Sequence, residues 1–135
     1  MISVVDISAK VASLCLQYSD EVKHAEGDIE RLHRKVNDTK SILEKLQQLV
    51  EKQDNLQLFS TPALLNSLQR CFQELTELEA TLQAKLEPGR NHKAMQRFGL
   101  QVIEWPLTST EVQKTVQNLE NYGSNFNHAL QVNQT

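Results

Sequence analysis

The segment from residue 28 to residue 53 most constrains the fold, because it combines helical apolar spacing with a complete lack of glycine and proline. Its apolar residues recur every three or four positions and form one stripe along a helix. The stripe consists of Ile29, Leu32, Val36, Ile42, Leu43, Leu46, Leu49 and Val50. A long helix of this kind has to bury its stripe against partner helices, so the segment predicts a helical bundle.

A first helix is predicted from about Ile2 to about His24, where apolar residues again recur at helical spacing. They are Val4, Ile7, Val11, Leu14, Tyr18 and Val22, with Asp6, Lys10, Gln17 and Glu21 on the other side. Gly27 weakens the path into the second helix, because glycine costs about 1 kcal/mol relative to alanine inside a helix. We therefore expect a kink or a short break between residues 23 and 28.

A third helix is predicted to begin at Ser60-Thr61-Pro62, because serine and threonine cap helices and proline is tolerated in the first turn. The Pro88-Gly89 pair ends it. Its apolar stripe consists of Leu64, Leu65, Leu68, Cys71, Phe72, Leu75, Leu78, Leu82 and Leu86.

The last third of the chain predicts a shorter helix and a long one. The shorter helix contains Ala94, Met95, Phe98, Val102 and Trp105, and it cannot pass Pro106. Thr108 and Glu111 then have the spacing of a capping box at the start of a last helix, from about Ser109 to Val132. Gly123 is expected to loosen the middle of this helix, whose inward residues are Val112, Val116, Leu119, Tyr122, Phe126 and Leu130.

The fold class that follows is all-α, a bundle of about four long helices plus one short helix. At 135 residues the chain is expected to form a single domain, residues 1–135, that buries roughly two thirds of its unfolded surface. The net charge of -3 gives no global field that would gather nucleic acid. Cys15 and Cys71 lie among helical apolar residues without metal-ligand spacing, which predicts reduced, buried thiols and an intracellular chain. The apolar segment from Ile2 to Leu16 is interrupted by Asp6 and Lys10 and is shorter than the roughly 20 residues of a spanning helix, which predicts a soluble chain.

Candidate catalytic and metal-binding residues are few. His24 and Asp28 could meet on one helical face, but a metal site needs three or four ligands with supporting groups around them. His33, His92 and His128 belong to no constellation with cysteine or carboxylate and are interpreted as solvated. The sequence has no phosphate-binding loop, zinc-protease helix or serine elbow, so we expect a non-enzyme without metal, cofactor or small-molecule substrate.

A local basic cluster consists of Lys85, Arg90, His92, Lys93 and Arg97, beside Met95, Phe98 and Trp105. Cations next to apolar side chains can touch anionic lipid headgroups, each contributing on the order of 1 kcal/mol near such a surface. The alternative is a solvated loop whose apolar residues fill the core.

Three stretches carry a resemblance to a known family. They are VVDISAKVASLCLQYSDEVKHAEGDIERLHRKVNDTKSILEKLQQLVE, LQAKLEPGRNHKAMQRFGLQVIEWPLTSTEVQKTVQNLENY and ALQVNQT. Together they resemble the HeLo-like amino-terminal domain of fungal NOD-like receptors, which are STAND proteins. The resemblance covers essentially the whole chain, and its most specific parts are residues 28–32, the Trp105-Pro106 step and Ala129-Leu130-Gln131.

The resemblance implies an effector domain at the front of a receptor, followed by a nucleotide-binding oligomerisation domain. Similar domains are membrane-targeting executioners of programmed cell death in fungal innate immunity and heterokaryon incompatibility, akin to the four-helix bundle of the mixed-lineage kinase-like necroptosis protein. Their first helix is released on oligomerisation, and the protein moves from the cytoplasm to anionic lipid at the plasma membrane. Val4, Val5, Ile7, Val11 and Leu14, with Lys93 and Arg97 of the basic cluster, are then the candidate membrane contacts, and Gly27 is the candidate hinge.

Family members usually begin with roughly a dozen more small and apolar residues, whereas here Met1 is followed almost directly by Val4-Val5-Asp6. We expect weak membrane activity without that extension. The alternative function is a non-lytic helical bundle that recruits another protein through homotypic helix packing, and a third interpretation is a helical spacer.

Overall fold

The computed structural model describes residues 2–22, 24–53, 62–86 and 104–134. These residues form four helices, α1 (Ile2–Glu21), α2 (Glu26–Gln53), α3 (Pro62–Leu86) and α4 (Ser109–Gln134), and they contain no strand. The predicted all-α bundle of long helices is confirmed. The predicted short helix falls mostly outside the described residues, and Glu104, Trp105 and Pro106 are not helical.

The helix boundaries follow local signals closely. The α1 helix ends at Glu21 rather than near His24, and the chain turns through the short connection that precedes Glu26.

At the start of α4 the predicted capping box is confirmed. The Glu111 N–H donates to Thr108 Oγ1 at 3.1 Å, and the Thr108 N–H donates to Glu111 Oε1 at 2.9 Å. These two bonds satisfy backbone amides that lack helical partners, so α4 begins where the sequence indicates.

Each helix packs against two others. The α1 helix contacts α2 and α3, and α4 contacts the same two helices from the opposite corner. Tyr18 of α1 bonds to Leu82 near the end of α3, and Ser109 of α4 bonds to Asp28 near the start of α2. The chain therefore runs up and down alternately through the four helices, with α2 and α3 at diagonal corners.

The core is built from the predicted apolar stripes. Its largest fully buried side chains are Tyr18, Phe126, Ile29, Leu32, Leu43, Leu46, Leu75, Leu82, Leu119, Val11, Val36 and Val112. Two residues of the stripe predicted for α3 are not in the core, since Leu65 is 42% exposed and Phe72 is 39% exposed. They lie seven residues apart at the edge of the stripe, where helical spacing alone does not distinguish core from surface.

Polar side chains occupy a few core positions by bonding locally. Ser8 Oγ donates to the Val4 carbonyl at 2.8 Å, and Thr39 Oγ1 donates to the Lys35 carbonyl at 2.9 Å. Each hydroxyl is satisfied within its own helix, so it can be buried without leaving an unpaired donor.

Candidate functional site: the docked first helix

The α1 helix is the candidate functional element, because the residues predicted to contact membrane lie on it. Val4, Ile7, Val11 and Leu14 are buried in the core, and Val5 is half-buried against it. The other two candidates, Lys93 and Arg97, lie outside the described residues, as does most of the basic cluster. The structure therefore brings together the apolar part of the predicted membrane surface and hides it inside the bundle.

Tyr18 anchors the carboxyl end of α1. Its hydroxyl donates to the Leu82 carbonyl of α3 at 2.8 Å, and its ring meets the Trp105 ring edge-on, with centroids 5.1 Å apart at 83°. Both rings are buried, and such an aromatic pair contributes about 0.5–1.5 kcal/mol beyond its buried area. Burial is the main cause that raises the pKa of Tyr18 to about 12, with the charges of Cys15 and Glu21 adding to the rise.

Trp105 links α1 to the start of α4. Its indole Nε1 is buried, and among the described residues it has no hydrogen-bond partner. The sequence placed Trp105 in a short helix, and its pairing with Tyr18 could not be read from spacing because the two residues are 87 positions apart.

The solvent side of α1 contains one large apolar residue among polar ones. Ala9, Ser13 and Leu16 are exposed there, and Leu16 is the most exposed large apolar residue of the described chain at 53%. The same side contains Asp6 and Lys10 in the first half of α1 and Asp20 and Glu21 in its last turn. Leu16 was not predicted as a membrane-contact residue. The sequence feature that could have identified it is a leucine on the otherwise polar side of the helix.

The connection between α1 and α2 contains the described non-glycine residue with a positive φ, Ala25 at 65°. The region of positive φ favours glycine, because a Cβ is crowded against the following carbonyl there. Gly27, the candidate hinge, lies instead in the first turn of α2, with open space where a Cβ would be. The break lies between Glu21 and Glu26 and overlaps the predicted interval, and the unusual backbone is at Ala25.

The two cysteines are buried on α1 and α3, as predicted. Burial raises the pKa of each thiol from 9.0 to about 12, and the Glu74 charge adds to the rise at Cys71. A thiol with such a pKa is almost entirely protonated at neutral pH, and the thiolate is the reactive form. Both residues are therefore inert while the bundle is closed.

Polar contacts join α4 to its neighbours. Asn118 Nδ2 donates to Glu74 Oε1 at 2.9 Å and Asn125 Nδ2 donates to Ser67 Oγ at 2.8 Å, both between α4 and α3. Ser109 Oγ donates to Asp28 Oδ2 at 2.6 Å. Asp28 is thus engaged in linking α2 to α4, and the described residues include no group of three or more potential ligands that could hold a metal ion.

Two open grooves flank α4. The groove between α2 and α4 has a volume of about 560 Å³ and contains Lys35, Asp38, Lys45 and Glu120. The groove between α3 and α4 has a volume of about 310 Å³ and contains Glu74, Glu77, Glu111 and Lys114. Both are open to solvent and mix acidic with basic side chains. Neither has the enclosed apolar lining with a few converging polar groups that is typical of small-molecule sites.

Comparison with known protein families, curated proteins and solved structures found no match for the chain. None of the helices in the described part of the chain combines the length and the apolar character that crossing a lipid bilayer requires.

Proposed function

We propose that the chain is the amino-terminal effector domain of a fungal NOD-like receptor, which targets and permeabilises membranes on oligomerisation and so executes regulated cell death. The sequence resemblance to HeLo-like domains supports the proposal. The single structural observation that carries it is the burial of Val4, Ile7, Val11 and Leu14, a continuous apolar face on the first helix. Oligomerisation through the receptor would release this face.

The released α1 helix would lie in the membrane interface rather than span it. Asp6 and Lys10 interrupt its apolar sequence, whereas an amphipathic helix can bury its apolar face at the headgroup boundary. Leu16 would extend the contact toward the carboxyl end of α1, and Lys93 and Arg97 would meet anionic headgroups. In this proposal the protein leaves the cytoplasm for the plasma membrane.

The energy required is within reach of a few side chains. Moving an equilibrium from 1:99 to 99:1 takes about 5.5 kcal/mol of differential binding. Burying one valine or leucine side chain contributes about 1.5–3 kcal/mol. Two to four apolar residues of α1 transferred to lipid would therefore shift the population from the closed to the open form. This requires that the closed bundle is more stable than the open form by only a few kcal/mol.

Vesicle flotation and dye release test this proposal. The chain is fused after Thr135 to a ligand-gated dimerising module, and vesicles containing phosphatidylserine are compared with neutral ones. Leu16→Glu is the informative variant, because Leu16 is exposed on α1 and its replacement leaves the core intact. Leu65→Glu is the matched control on α3, exposed to a similar degree. Clustering should cause release, at the weak level expected of a chain without the amino-terminal extension. Leu16→Glu should reduce this release several-fold, and Leu65→Glu should not.

A second readout follows the helix itself. Cys15 is buried on α1, so a membrane-permeant thiol reagent should label it only when α1 leaves the bundle. In a Cys71→Ala background, clustering on vesicles should raise the labelling rate at least tenfold while the helical circular dichroism is retained. Intact vesicles together with an unchanged labelling rate would refute the membrane proposal.

A non-lytic recruiting bundle is the second candidate, and the exposed apolar pair on α3 favours it. Leu65 and Phe72 lie seven residues apart, so they project from the same side of the helix. Under this function Phe72→Glu should abolish homotypic association measured by analytical ultracentrifugation, and Leu16→Glu should leave it unchanged. The opposite pattern would exclude recruitment through α3.

A further inference from the structure

Two heptad series run through α1 and α2 without a change of phase, although the chain reverses direction between these helices. One series is Val4, Val11, Tyr18, Ala25, Leu32, Thr39 and Leu46, and the other is Ser8, Cys15, Val22, Ile29, Val36 and Leu43. Their members alternate at intervals of three and four residues along the chain. All of them are buried except Ala25, which is half-buried. We call this set the α1–α2 seam.

The shared phase is not required by the hairpin. When a turn separates two antiparallel helices, the heptad position at which the second helix starts does not depend on the first. Only one of the seven possible starting positions of α2 continues the heptad pattern of α1. A single continuous helix does require one register, because its apolar seam has to remain on one side. The α1–α2 sequence therefore satisfies a constraint that the closed bundle does not impose.

The corner between the two helices is also poorly built as a helix boundary. Ala25 has a φ of 65°, and its carbonyl accepts the first helical bond of α2, from the Ile29 N–H at 2.9 Å. Alanine has no side-chain acceptor for the unpaired amides of the first turn. The last turn of α1 contains Asp20 and Glu21 and no basic residue, so two carboxylates face the negative end of the helix dipole. A continuous helix would remove all three features.

We propose that α1 and α2 form a two-state element, which is a hairpin in the closed bundle and a single helix from Ile2 to Gln53 in assemblies, where its seam packs against the seam of a second copy. In the hairpin the seam is buried within one molecule. In the straight helix it would be exposed, and pairing between copies buries it again. Gly27 belongs to neither series and would lie on the outer side of the straight helix, where it removes no contact.

This inference takes clustering as its trigger from the proposed function but involves no lipid, so the two can fail separately. Straightening would withdraw α1 from α3 and break the Tyr18 contact to Leu82. Self-association and withdrawal of α1 from α3 would then be one event, in which Val4 and Val11 are buried between copies and only Ile7 and Leu14 of the proposed lipid-contacting face lie outside the seam.

The distance between two spin labels tests the inference. Asp6→Cys and Ser41→Cys place labels at exposed positions, each 15 residues from the nearer helix end at the corner. In the hairpin these positions are level, and their separation is set by the spacing of about 10 Å between packed helix axes plus the labels. In a continuous helix, 35 residues separate them by about 53 Å. Cys15 and Cys71 are buried, so labelling the closed monomer modifies the introduced residues.

Labelled chains bearing the dimerising module, diluted with unlabelled copies and kept free of vesicles, should show the short distance as monomers and gain the long distance on clustering. Ala25→Gly should lower the ratio of long to short distances at least about tenfold, because glycine accepts a positive φ in the hairpin and disfavours the helix. Gly123→Ala, far from the corner, should change the ratio less than about twofold. A short distance alone in the clusters, or an unchanged ratio in Ala25→Gly, would overturn the proposal.

Discussion

Leu65 and Leu75 lie on the same helix and differ in their surroundings. Leu75 is fully buried, and Leu65 is 42% exposed. Removing a buried leucine side chain loses its transfer free energy and leaves a cavity, so Leu75→Ala should reduce the free energy of unfolding by about 2–5 kcal/mol. Leu65→Ala, the matched control, should reduce it by less than about 1 kcal/mol. Urea denaturation followed by circular dichroism measures both. Equal losses of unfolding free energy in the two variants would contradict the assignment of Leu75 to the core and Leu65 to the surface.

Gly123 gives a second prediction at the residue scale. It is buried inside α4, and a Cβ built there would lie 3.5 Å from Ile42 Cδ1 of α2, an ordinary van der Waals distance. The α4 helix runs without interruption through Gly123, so the loosening expected in the middle of this helix is not seen. Gly123→Ala should therefore stabilise the protein by about 0.5–1 kcal/mol, because alanine loses less backbone entropy.

The urea midpoint of Gly123→Ala measures this gain. Gly27→Ala, where a Cβ meets open space in the first turn of α2, is the comparison variant and should also be neutral or stabilising. A lower midpoint for Gly123→Ala alone would show that α2 and α4 approach more closely at this position than 3.5 Å implies.

At the scale of a single helix, the capping box of α4 predicts a pH dependence. The backbone N–H of Thr108 donates to Glu111 and, with the Thr108 side chain, holds the pKa of Glu111 below its ordinary value of 4.5. A carboxyl whose pKa is lower in the folded state contributes stability above its unfolded pKa and loses it as the pH falls through the folded pKa. This contribution should be complete at neutral pH and decline below about pH 4.5.

Glu111→Gln isolates that effect, since glutamine can make the same bond to the Thr108 amide but does not titrate. The difference in urea midpoint between the native chain and Glu111→Gln should be constant from pH 6 to 8 and change only in acid. A difference that is independent of pH down to 2 would contradict the ionised cap.

Tyr18 holds α1 in the bundle through a hydrogen bond and a ring contact, neither of which the apolar spacing of α1 predicts. Tyr18→Phe keeps the ring against Trp105 and removes the bond to Leu82, so it should destabilise the protein by about 0.5–1.5 kcal/mol. Hydrogen exchange should then quicken in α1 more than in α4, because the lost bond joins α1 to α3. Uniformly faster exchange in all four helices would mean that α1 opens only with the whole bundle.

The whole molecule should be sensitive to alkali. Burial raises the pKa of Cys15, Cys71 and Tyr18 to about 12, whereas the same groups ionise at 9.0 and 10.0 when exposed. Between these values the unfolded chain has released protons that the folded chain still holds, so the free energy of unfolding should be highest below pH 9 and decline as the pH rises toward 12.

Urea denaturation at pH 7, 9, 10 and 11 measures the decline. In a Cys15→Ala, Cys71→Ala variant the onset should move up toward pH 10, because the thiols no longer contribute. An onset that stays at pH 9 in this variant would show that other groups control the alkaline transition.

Local signals account for most of the secondary structure. Apolar spacing located α1 to α4, and the Thr108–Glu111 pair located the start of α4, because both are decided within one or two helical turns. Thr39 is a core position that the prediction left out, although it lies between Val36 and Leu43 at the spacing of the apolar stripe. It was missed because threonine is polar, although its hydroxyl is satisfied within the helix.

The sequence by itself determined that this chain forms amphipathic helices and which stripe of each is apolar, because those properties depend on neighbours a turn away. Only the tertiary structure decided which edge of a stripe is covered, leaving Leu65 exposed, and which distant rings meet, as Tyr18 and Trp105 do. It also decided that Ala25 adopts a positive φ, since the packing of α1 on α2 and α3 outweighs a local preference of about 1–2 kcal/mol. Long-range packing is a sum over many contacts, and no short segment contains it.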